Sequence, residues 1–481
     1  MAVEKFTTPI AVDLDGSLLL TDTLWESVAG LLRKSPWLIL LLPIWLLRGR
    51  AYLKEKLSRD WHPDAHGLPM NHELLEWLHE QKANGRLLVL ATAANENVAE
   101  AVAKSLGIFS AVIASSATEN LKGETKAAAI ENYFCGQPFS YVGDCGADMA
   151  VWEKSASAIV AGAGCGRLVK RLQEICAVEA QFPLKTSGVS ALLTQLRPHQ
   201  WAKNLLLLSP AVAGQDFLRA EVLQNLALAF ISISLAASAI YVVNDLVDLE
   251  NDRNHPRKRL RPLASGQLSL IWGFLLPPGL LTLSILLSLQ LATPFQLTLI
   301  LYLLVTSLYT FYLKKVPILD CLTLATLYTL RVIAGAAAAN QTVTMWLLTF
   351  AVFIFFSLAL VKRFVEVREA EDIGRTISGR GYLTGDLAFL HTTGISSGLV
   401  SVLILGLYIQ SPAVSSFYST VEVLWLCIGI YLYWICYIWI KASRGEMHDD
   451  PVVFSLKDPT SMRCGVMFIL CALAASEITI Q

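Results

Sequence analysis

Two groups of aspartates in this 481-residue chain have the types and spacing for phosphate chemistry. The first is Asp13 and Asp15 in PIAVDLDGS. A short apolar run ending in Asp-x-Asp-Gly-Ser puts two carboxylates at a strand C-terminus, where open α/β sheets bind ligands. Asp13 is placed to attack a phosphorus atom and form an aspartyl-phosphate. Asp15 is placed to give and take the leaving-group proton. The second group is Asp245, Asp248 and Asp252 in NDLVDLENDRNHPRKRLRP, from Asn244 to Pro262. If a helix continues there, Asn244, Asp248 and Asp252 fall at i, i+4 and i+8, with Asp245 beside them. Like charges so spaced repel by roughly a few tenths of a kcal/mol per pair. Mg²⁺ offsets this, because it prefers a few carboxylates together with phosphate oxygens and water. Lys258, Arg259 and Arg261 then supply cations for the phosphates themselves. A plain solvated loop with topology-setting arginines would account for the basic run but not for the stacked carboxylates.

The elements that must position the first group follow along the chain. LLVLATA is a second strand ending at Thr92, Lys126 lies at a helix start in LKGETKAAAI, and YVGDCGADMAVW is a third strand ending in Gly-Asp. Acid pair, hydroxyl, lysine, acid pair, in that order, resembles the haloacid dehalogenase phosphatase superfamily, near phosphoserine phosphatase, over about residues 5–180. The resemblance implies a Rossmann-like α/β domain with a helical cap. It implies Asp13 as nucleophile, Asp15 as acid/base, Thr92 and Lys126 on phosphate, and Mg²⁺ among Asp13, Asp15 and Asp144. Asp148 would support the metal, and Lys122 is the alternative lysine. An inactive binding module is the other reading, and the intact Asp13, Asp15 and Asp144 argue against it.

The helical insert between Asp15 and Thr92 contains SPWLILLLPIWLLRGRAYLKEKL, Ser35 to Leu57. Its apolar part, about a dozen residues, is too short to span a bilayer. It is either a buried cap helix or an interfacial helix. Trp37, Trp45, Arg48 and Arg50 favour the membrane surface, with the phosphatase site then facing lipid-borne substrates.

The second group needs a different frame. The chain is 54% hydrophobic and 16% charged, against about 45–50% and about 25% in soluble domains. The apolar excess is confined to residues 204–480, which excludes a wholly soluble, disordered or disulfide-stapled secreted protein. Nine candidate spans are expected, at 201–218, 222–243, 269–290, 295–313, 317–339, 344–361, 386–410, 421–440 and 464–480. Alternate loops between them carry sixteen basic residues, Arg375 and Arg380 included, against the single Arg219 on the other side. The positive-inside rule then predicts an inner (cytoplasmic) membrane protein with a cytosolic N-terminal domain and an external C-terminus. The start of the sequence, MAVEKFTTPIAVDLDG, shows no signal-peptide h-region. A net charge of −1 gives no case for nucleic acid. Nine cysteines without C-x-x-C spacing favour buried thiols over disulfides or zinc. The expected domains are 1–190, soluble, and 195–481, an all-α membrane domain. Arg331, in YTLRVIAGAA, is a charge within a span and a functional candidate for that reason.

Asn-Asp-x-x-Asp-x-x-x-Asp-Arg with the basic run behind it, after the second of nine spans, resembles the UbiA prenyltransferase superfamily over about 195–481. RPHQWAKN, Arg197 to Asn204, matches the segment leading into that family's first span. The resemblance implies a Mg²⁺-dependent intramembrane transferase acting on a polyprenyl phosphate or diphosphate. Most of the superfamily carries a second Asp-x-x-x-Asp after span six. Here LVKRFVEVREAE stands in its place, with Lys362, Arg363 and Glu366 and no paired aspartates. That, with VPILD…LRVIAG, resembles the decaprenyl-phosphate phosphoribosyltransferase branch. It implies Asp245, Asp248 and Asp252 on Mg²⁺ and diphosphate, and Lys258, Arg261, Lys362 and Arg363 on phosphates. An acceptor with one phosphate needs no second metal cage, and a Lys/Arg pair can hold it. Glu366 would join the metal or pair with Lys362, and Tyr328, Arg331 and Asp320 would line the cavity.

The expected activity is therefore transfer of phosphoribose from phosphoribosyl diphosphate to polyprenyl phosphate, with a fused phosphatase acting on the lipid product. One alternative is prenyl transfer from prenyl diphosphate to a small acceptor. Another is a lipid or solute carrier with a regulatory cytosolic domain, against which stand the carboxylate cluster and the absence of repeats.

Overall fold

The computed structural model describes residues 8–58, 67–116, 119–162, 165–184, 188–214, 219–372, 381–411, 414, 418, 420–447 and 450–475. Arg375 and Arg380 lie outside them. The nine cysteines are free thiols.

The N-terminal part is a six-stranded parallel sheet, β1 (Ile10–Val12), β2 (Leu88–Asn95), β3 (Ala111–Ser115), β4 (Ser140–Gly143), β5 (Ser157–Gly162) and β6 (Ala177–Pro183), in the order β3-β2-β1-β4-β5-β6. Parallel strands covered on both faces read as continuous apolar runs. Here β1 is Ile-Ala-Val, fully buried. Ile10 and Val12 point into one core layer with Leu88, Leu90 and Val142. Ala11 points into the other with Val89, Tyr141 and Trp152. Ile10 pairs with Leu88 on one side and Ser140 on the other. The strand order reverses between β1 and β4, so the residues just past those two strands share the crevice where doubly wound sheets bind ligands. Those residues are Asp13 and Asp144.

Compactness groups Met1–Leu196 with Tyr241–Pro277, and Arg197–Ile240 with Pro278–Gln481. The segment carrying the second aspartate group thus packs with the sheet. Glu26 and Arg253 form a buried ion pair, and Trp25 packs on Phe274 with ring centroids 5.1 Å apart. The insert after Asp15 is a helix Thr23–Lys34, capped by Asp22 accepting from Leu24 N and Trp25 N, followed by a 3₁₀ turn and two short helices. Its apolar stretch is not buried as a cap helix would be. Trp37, Leu40 and Leu47 are 65%, 78% and 89% exposed, while Leu38, Ile39, Leu42 and Trp45 pack on Val28 and Leu53.

Elsewhere the chain is helical. Among the described residues, seven helices are long and apolar enough to cross a membrane: Ala220–Val247, Leu270–Ser288, Thr293–Phe311, Leu319–Ala338, Met345–Glu371, Thr384–Ile409 and Val421–Ser443. Pro451–Lys457 and Pro459–Ala475, bent by 81°, make eight if they form one span. The nine expected spans are reduced at the first segment. Pro198–Leu208 winds as a 3₁₀ helix and Ser209–Ala213 as a short α-helix. Pro210 offers no N–H to continue an α-ladder. Trp201 and Asn204 instead hydrogen-bond Ser238 and Ser234 of Ala220–Val247, at 2.9 and 2.8 Å. Gly335 allows the close approach: a Cβ there would overlap the Leu207 backbone.

Candidate functional site

The first acidic group is built at the sheet switch point. Asp13 N donates to Val142 O at 3.0 Å, which continues the β1–β4 pairing and fixes the Asp13 side chain in the crevice. Lys126, from the helix Glu124–Tyr133, reaches Asp13 Oδ1 at 2.7 Å and Tyr141 Oη at 2.8 Å. Tyr141 in turn donates to Asp148 Oδ1 at 2.8 Å. Asp148 Oδ2 accepts from the Asp144 and Cys145 backbone at 3.2 and 3.3 Å. Lys126, not Lys122, is therefore the lysine that meets the acid. Asp15 accepts from the backbone and hydroxyl of Thr23, at 2.8 and 3.1 Å, which ties it to the capped helix. The strand expected to end at Thr92 runs on to Asn95, so Thr92 is buried within β2, where it accepts from Ala94 N at 3.0 Å.

These residues line one cavity of about 1000 Å³ that holds Asp13, Asp15, Thr92, Lys126, Asp144 and Asp148 together. Burial raises the Asp13 carboxyl to about 6, with Lys126 pulling it back and Asp148 adding to the rise. Burial, then Asp22, raises Asp15 to about 8. Burial, then Asp148 and Asp13, raises Asp144 to about 7. Burial pulls Lys126 down, but Asp13 and Asp148 outweigh it and hold the ammonium charged. The cavity lining carries five aspartates, Asp13, Asp15, Asp22, Asp144 and Asp148, against three lysines, Lys54, Lys122 and Lys126, a negative excess that a divalent cation would relieve. The space agrees: Gly16, at φ +78°, lies so close that a Cβ would overlap the Asp144 carboxylate. Asp13, Asp15 and Asp144 offer the oxygen donors that Mg²⁺ takes, but Thr23 holds both Asp15 oxygens and the three carboxylates are not drawn within 4.8 Å of one another in this structure. Among the described residues, the group whose ligand atoms all lie within 4.8 Å of one another is Asp144, Cys145 and Asp148.

The second acidic group keeps its helical stacking. Asp248 N bonds to Asn244 O and Asp252 N to Asp248 O, at 2.9 and 2.8 Å. Asp245 and Asp252 are buried and Asp248 is half-buried. Arg261 Nη1 bridges Asp245, at 3.1 Å, and Asp252. Gln195 donates to Asp245 at 2.7 Å. Burial raises Asp252 to about 6 despite Arg261. Arg261, expected on phosphate, here stands between the carboxylates where a cation is expected. The carboxylate donors suit Mg²⁺, and holding it between Asp245 and Asp252 requires Arg261 to turn away. Lys258 lies in a short exposed 3₁₀ turn.

In the membrane unit the basic residues are organised by acids. Arg363 is wholly buried and engaged at every nitrogen, by Asp320, by Glu366 and by Tyr309 Oη at 3.1 Å. In this structure its expected phosphate role is not met: all three guanidinium nitrogens are taken by these protein partners. Glu366 pairs with Arg363, three residues earlier, not with Lys362. Tyr382 donates to Asp320 at 2.5 Å. Lys362 shares Asp450 with Lys203, at 3.2 and 2.7 Å, and Tyr328 donates to Asp450 at 3.3 Å. The two lysines hold the Asp450 carboxyl well below its usual range, against burial. Arg331 binds Asn204 Oδ1 at 2.8 Å and Tyr302 Oη at 3.0 Å, and stacks on the Tyr302 and Tyr328 rings.

Sequence reasoning missed Lys203, Asp450, Gln195, Glu26, Tyr141 and Tyr382 as members of these clusters. The only sequence signal for Asp450 is its place before Pro451, which marks a helix start. The rest depend on partners remote in sequence.

A parallel α/β sheet is joined in this chain to helices long and apolar enough to cross a membrane, with an aspartate group at the end of one of them. The profile of the UbiA prenyltransferase family matches residues 207–468, and the chain belongs to that family. It is 35% identical over 463 residues to "Uncharacterized protein y4nM" of Sinorhizobium fredii, covering 95% of this chain and 89% of that one. It is 32% identical over 284 residues to "Nodulation protein NoeC" of Azorhizobium caulinodans, covering 57% and 91%. It is 34% identical over 218 residues to decaprenyl-phosphate phosphoribosyltransferase of Mycolicibacterium smegmatis, covering 44% and 69%. A UbiA homolog from Archaeoglobus fulgidus solved with GPP and Mg²⁺ is similar with a TM-score of 0.47 at 17% identity, covering 60% of this chain and 99% of that one.

Proposed function

We propose that this protein is a bifunctional enzyme of the inner membrane. Its membrane part transfers phosphoribose from phosphoribosyl diphosphate to a polyprenyl phosphate, and its cytosolic N-terminal part removes a phosphate from the lipid product. The observation that carries the first half is the cationic cluster in place of a second aspartate pair. Lys203 and Lys362 share one carboxylate, Asp450, so the cluster keeps a net positive charge suited to a lipid monophosphate. The similarity to decaprenyl-phosphate phosphoribosyltransferases supports the same substrates.

In the transfer, Asp245, Asp248 and Asp252 are the residues that would hold Mg²⁺, and Lys258 and Arg261 would take the donor's phosphates. Bound Mg²⁺ would neutralise charge developing on the leaving diphosphate. Lys203 and Lys362 hold the acceptor phosphate, and Arg331 orients through Asn204 and Tyr302. In the N-terminal part, Asp13 attacks phosphorus, Asp15 donates the proton to the leaving oxygen, and Lys126 and Thr92 hold the phosphoryl oxygens. Water then cleaves the aspartyl-phosphate, with Asp15 taking its proton.

The test is a membrane assay with radiolabelled phosphoribosyl diphosphate, polyprenyl phosphate and Mg²⁺, beside Asp248→Ala. A labelled lipid absent in the variant supports the transfer. Label entering no lipid, while a prenyl diphosphate is consumed, would move the donor to prenyl diphosphate. The phosphate count of the labelled lipid, compared with Asp13→Asn, tests the second step.

A further inference from the structure

We propose that the turn Ser265–Ser269, downstream of the second aspartate group, is a substrate wall of the N-terminal cavity and reads the part of an amphiphilic phosphomonoester beyond its phosphate. This rests on the phosphatase reading of Asp13 and names its substrate class. Ser265, Gly266, Gln267 and Ser269 line the same cavity as Asp13, Asp15 and Thr92. At about 1000 Å³ that cavity far exceeds what a phosphate alone fills and matches a whole organic ligand. Its lining has two kinds of surface: hydrogen bonds join Asp13, Lys126 and Asp148 through Tyr141, and Leu24, Val28, Leu42 and Leu53 belong to one apolar cluster. The turn adds two hydroxyls and an amide. A phosphomonoester that also carries polar and apolar parts is the ligand such a mixed lining suits.

The turn is held in place by the sheet unit itself. Arg253 donates Nε to Ala264 O at 3.1 Å and both terminal nitrogens to Glu26, at 3.0 and 2.5 Å. Glu26 also accepts from Thr21 at 2.7 Å. Gly266, at φ +76°, lies so close that a Cβ would stand 2.7 Å from Leu20 Cβ, so glycine alone fits. Gln267 and Ser269 keep their side chains exposed.

The test uses the full chain in detergent with methyl, butyl, hexyl and octyl phosphate. Each methylene taken up by the apolar wall raises kcat/KM about fourfold. Gln267→Trp, which narrows the cavity at the turn, lowers octyl phosphate turnover by about tenfold or more and leaves methyl phosphate within about twofold. Gln267→Leu, a smaller change, moves in the same direction. A flat alkyl series, or equal losses for both chain lengths in both variants, overturns the proposal. If no alkyl phosphate is hydrolysed, the phosphatase reading falls. The wall is then judged by calorimetric binding of octylphosphonate against methylphosphonate to the same proteins: a preference for octyl that Gln267→Trp erases sustains it, and equal binding overturns it.

Discussion

The acidic crevice of the sheet and the Arg363 cluster of the membrane helices both gather charge in a buried place, and they balance it differently. Around Asp13, the cavity is lined by five carboxylates against three lysines, it is open to a ligand, and three of the acids are pushed up. Around Arg363, one guanidinium faces two carboxylates, Asp320 and Glu366, a net of one negative charge; the balance that closes there is of hydrogen bonds, with every guanidinium nitrogen taken, tyrosine hydroxyls completing the cluster and no exposed surface on the arginine. An excess of one sign beside a cavity calls for a ligand, whereas a closed balance does not. Sequence motifs hold both kinds of charge and do not tell them apart.

Breaking the excess should produce the largest effect. If Asp13 attacks phosphorus as proposed, Asp13→Asn should lower phosphate release from a phosphomonoester by about a thousandfold or more and leave the proposed phosphoribosyl transfer in place. Phosphate release and lipid labelling from one membrane preparation give both readings. Equal loss of the two would show that the substitution acts on the fold. Retained phosphate release would remove Asp13 from its role.

Breaking the balance should cost stability. Arg363→Ala strands Asp320 and Glu366, and losing one partner of a buried pair costs about 3–5 kcal/mol. The expected outcome is a lower melting temperature in detergent, with Asp320→Asn in the same background recovering part of it. An Arg363→Ala protein that melts normally and has only a raised KM for lipid phosphate would restore the phosphate role read from the sequence.

The sequence reveals the excess better than the balance. The acids of the first site sit at strand ends, so spacing alone announces Asp13, Asp15 and Asp144. Asn244, Asp248 and Asp252 stack because one helix carries them. Arg363 with Asp320, and Lys203 with Asp450, join residues 43 and 247 positions apart, and no local period encodes such pairs. The spans were legible where long apolar α-helices carry them. They were not where Pro198–Leu208 winds as 3₁₀, because hydropathy does not register helix type. That difference can be measured. Eight crossings would leave the C-terminus on the cytosolic side with the N-terminus, and nine would place it outside. A C-terminal alkaline phosphatase fusion, active only outside, separates the two, and the sixteen-to-one loop asymmetry predicts an active one.

Lys362 gives the smallest and most discriminating effect, because it adjoins the closed cluster while belonging to an open one. It is 31% exposed at its side chain, and Lys203 remains on Asp450 when it is lost. Lys362→Ala should therefore leave the melting temperature within about a degree or two, since partly exposed ion pairs contribute at most about 1 kcal/mol. If Lys362 holds the acceptor phosphate, the same change should raise KM for polyprenyl phosphate about tenfold, the size of one lost charge-assisted hydrogen bond. Lys362→Arg keeps the charge and should recover most of it. Melting that falls as far as in Arg363→Ala, with KM unmoved, would give Lys362 a structural role and leave Lys203 to carry the phosphate.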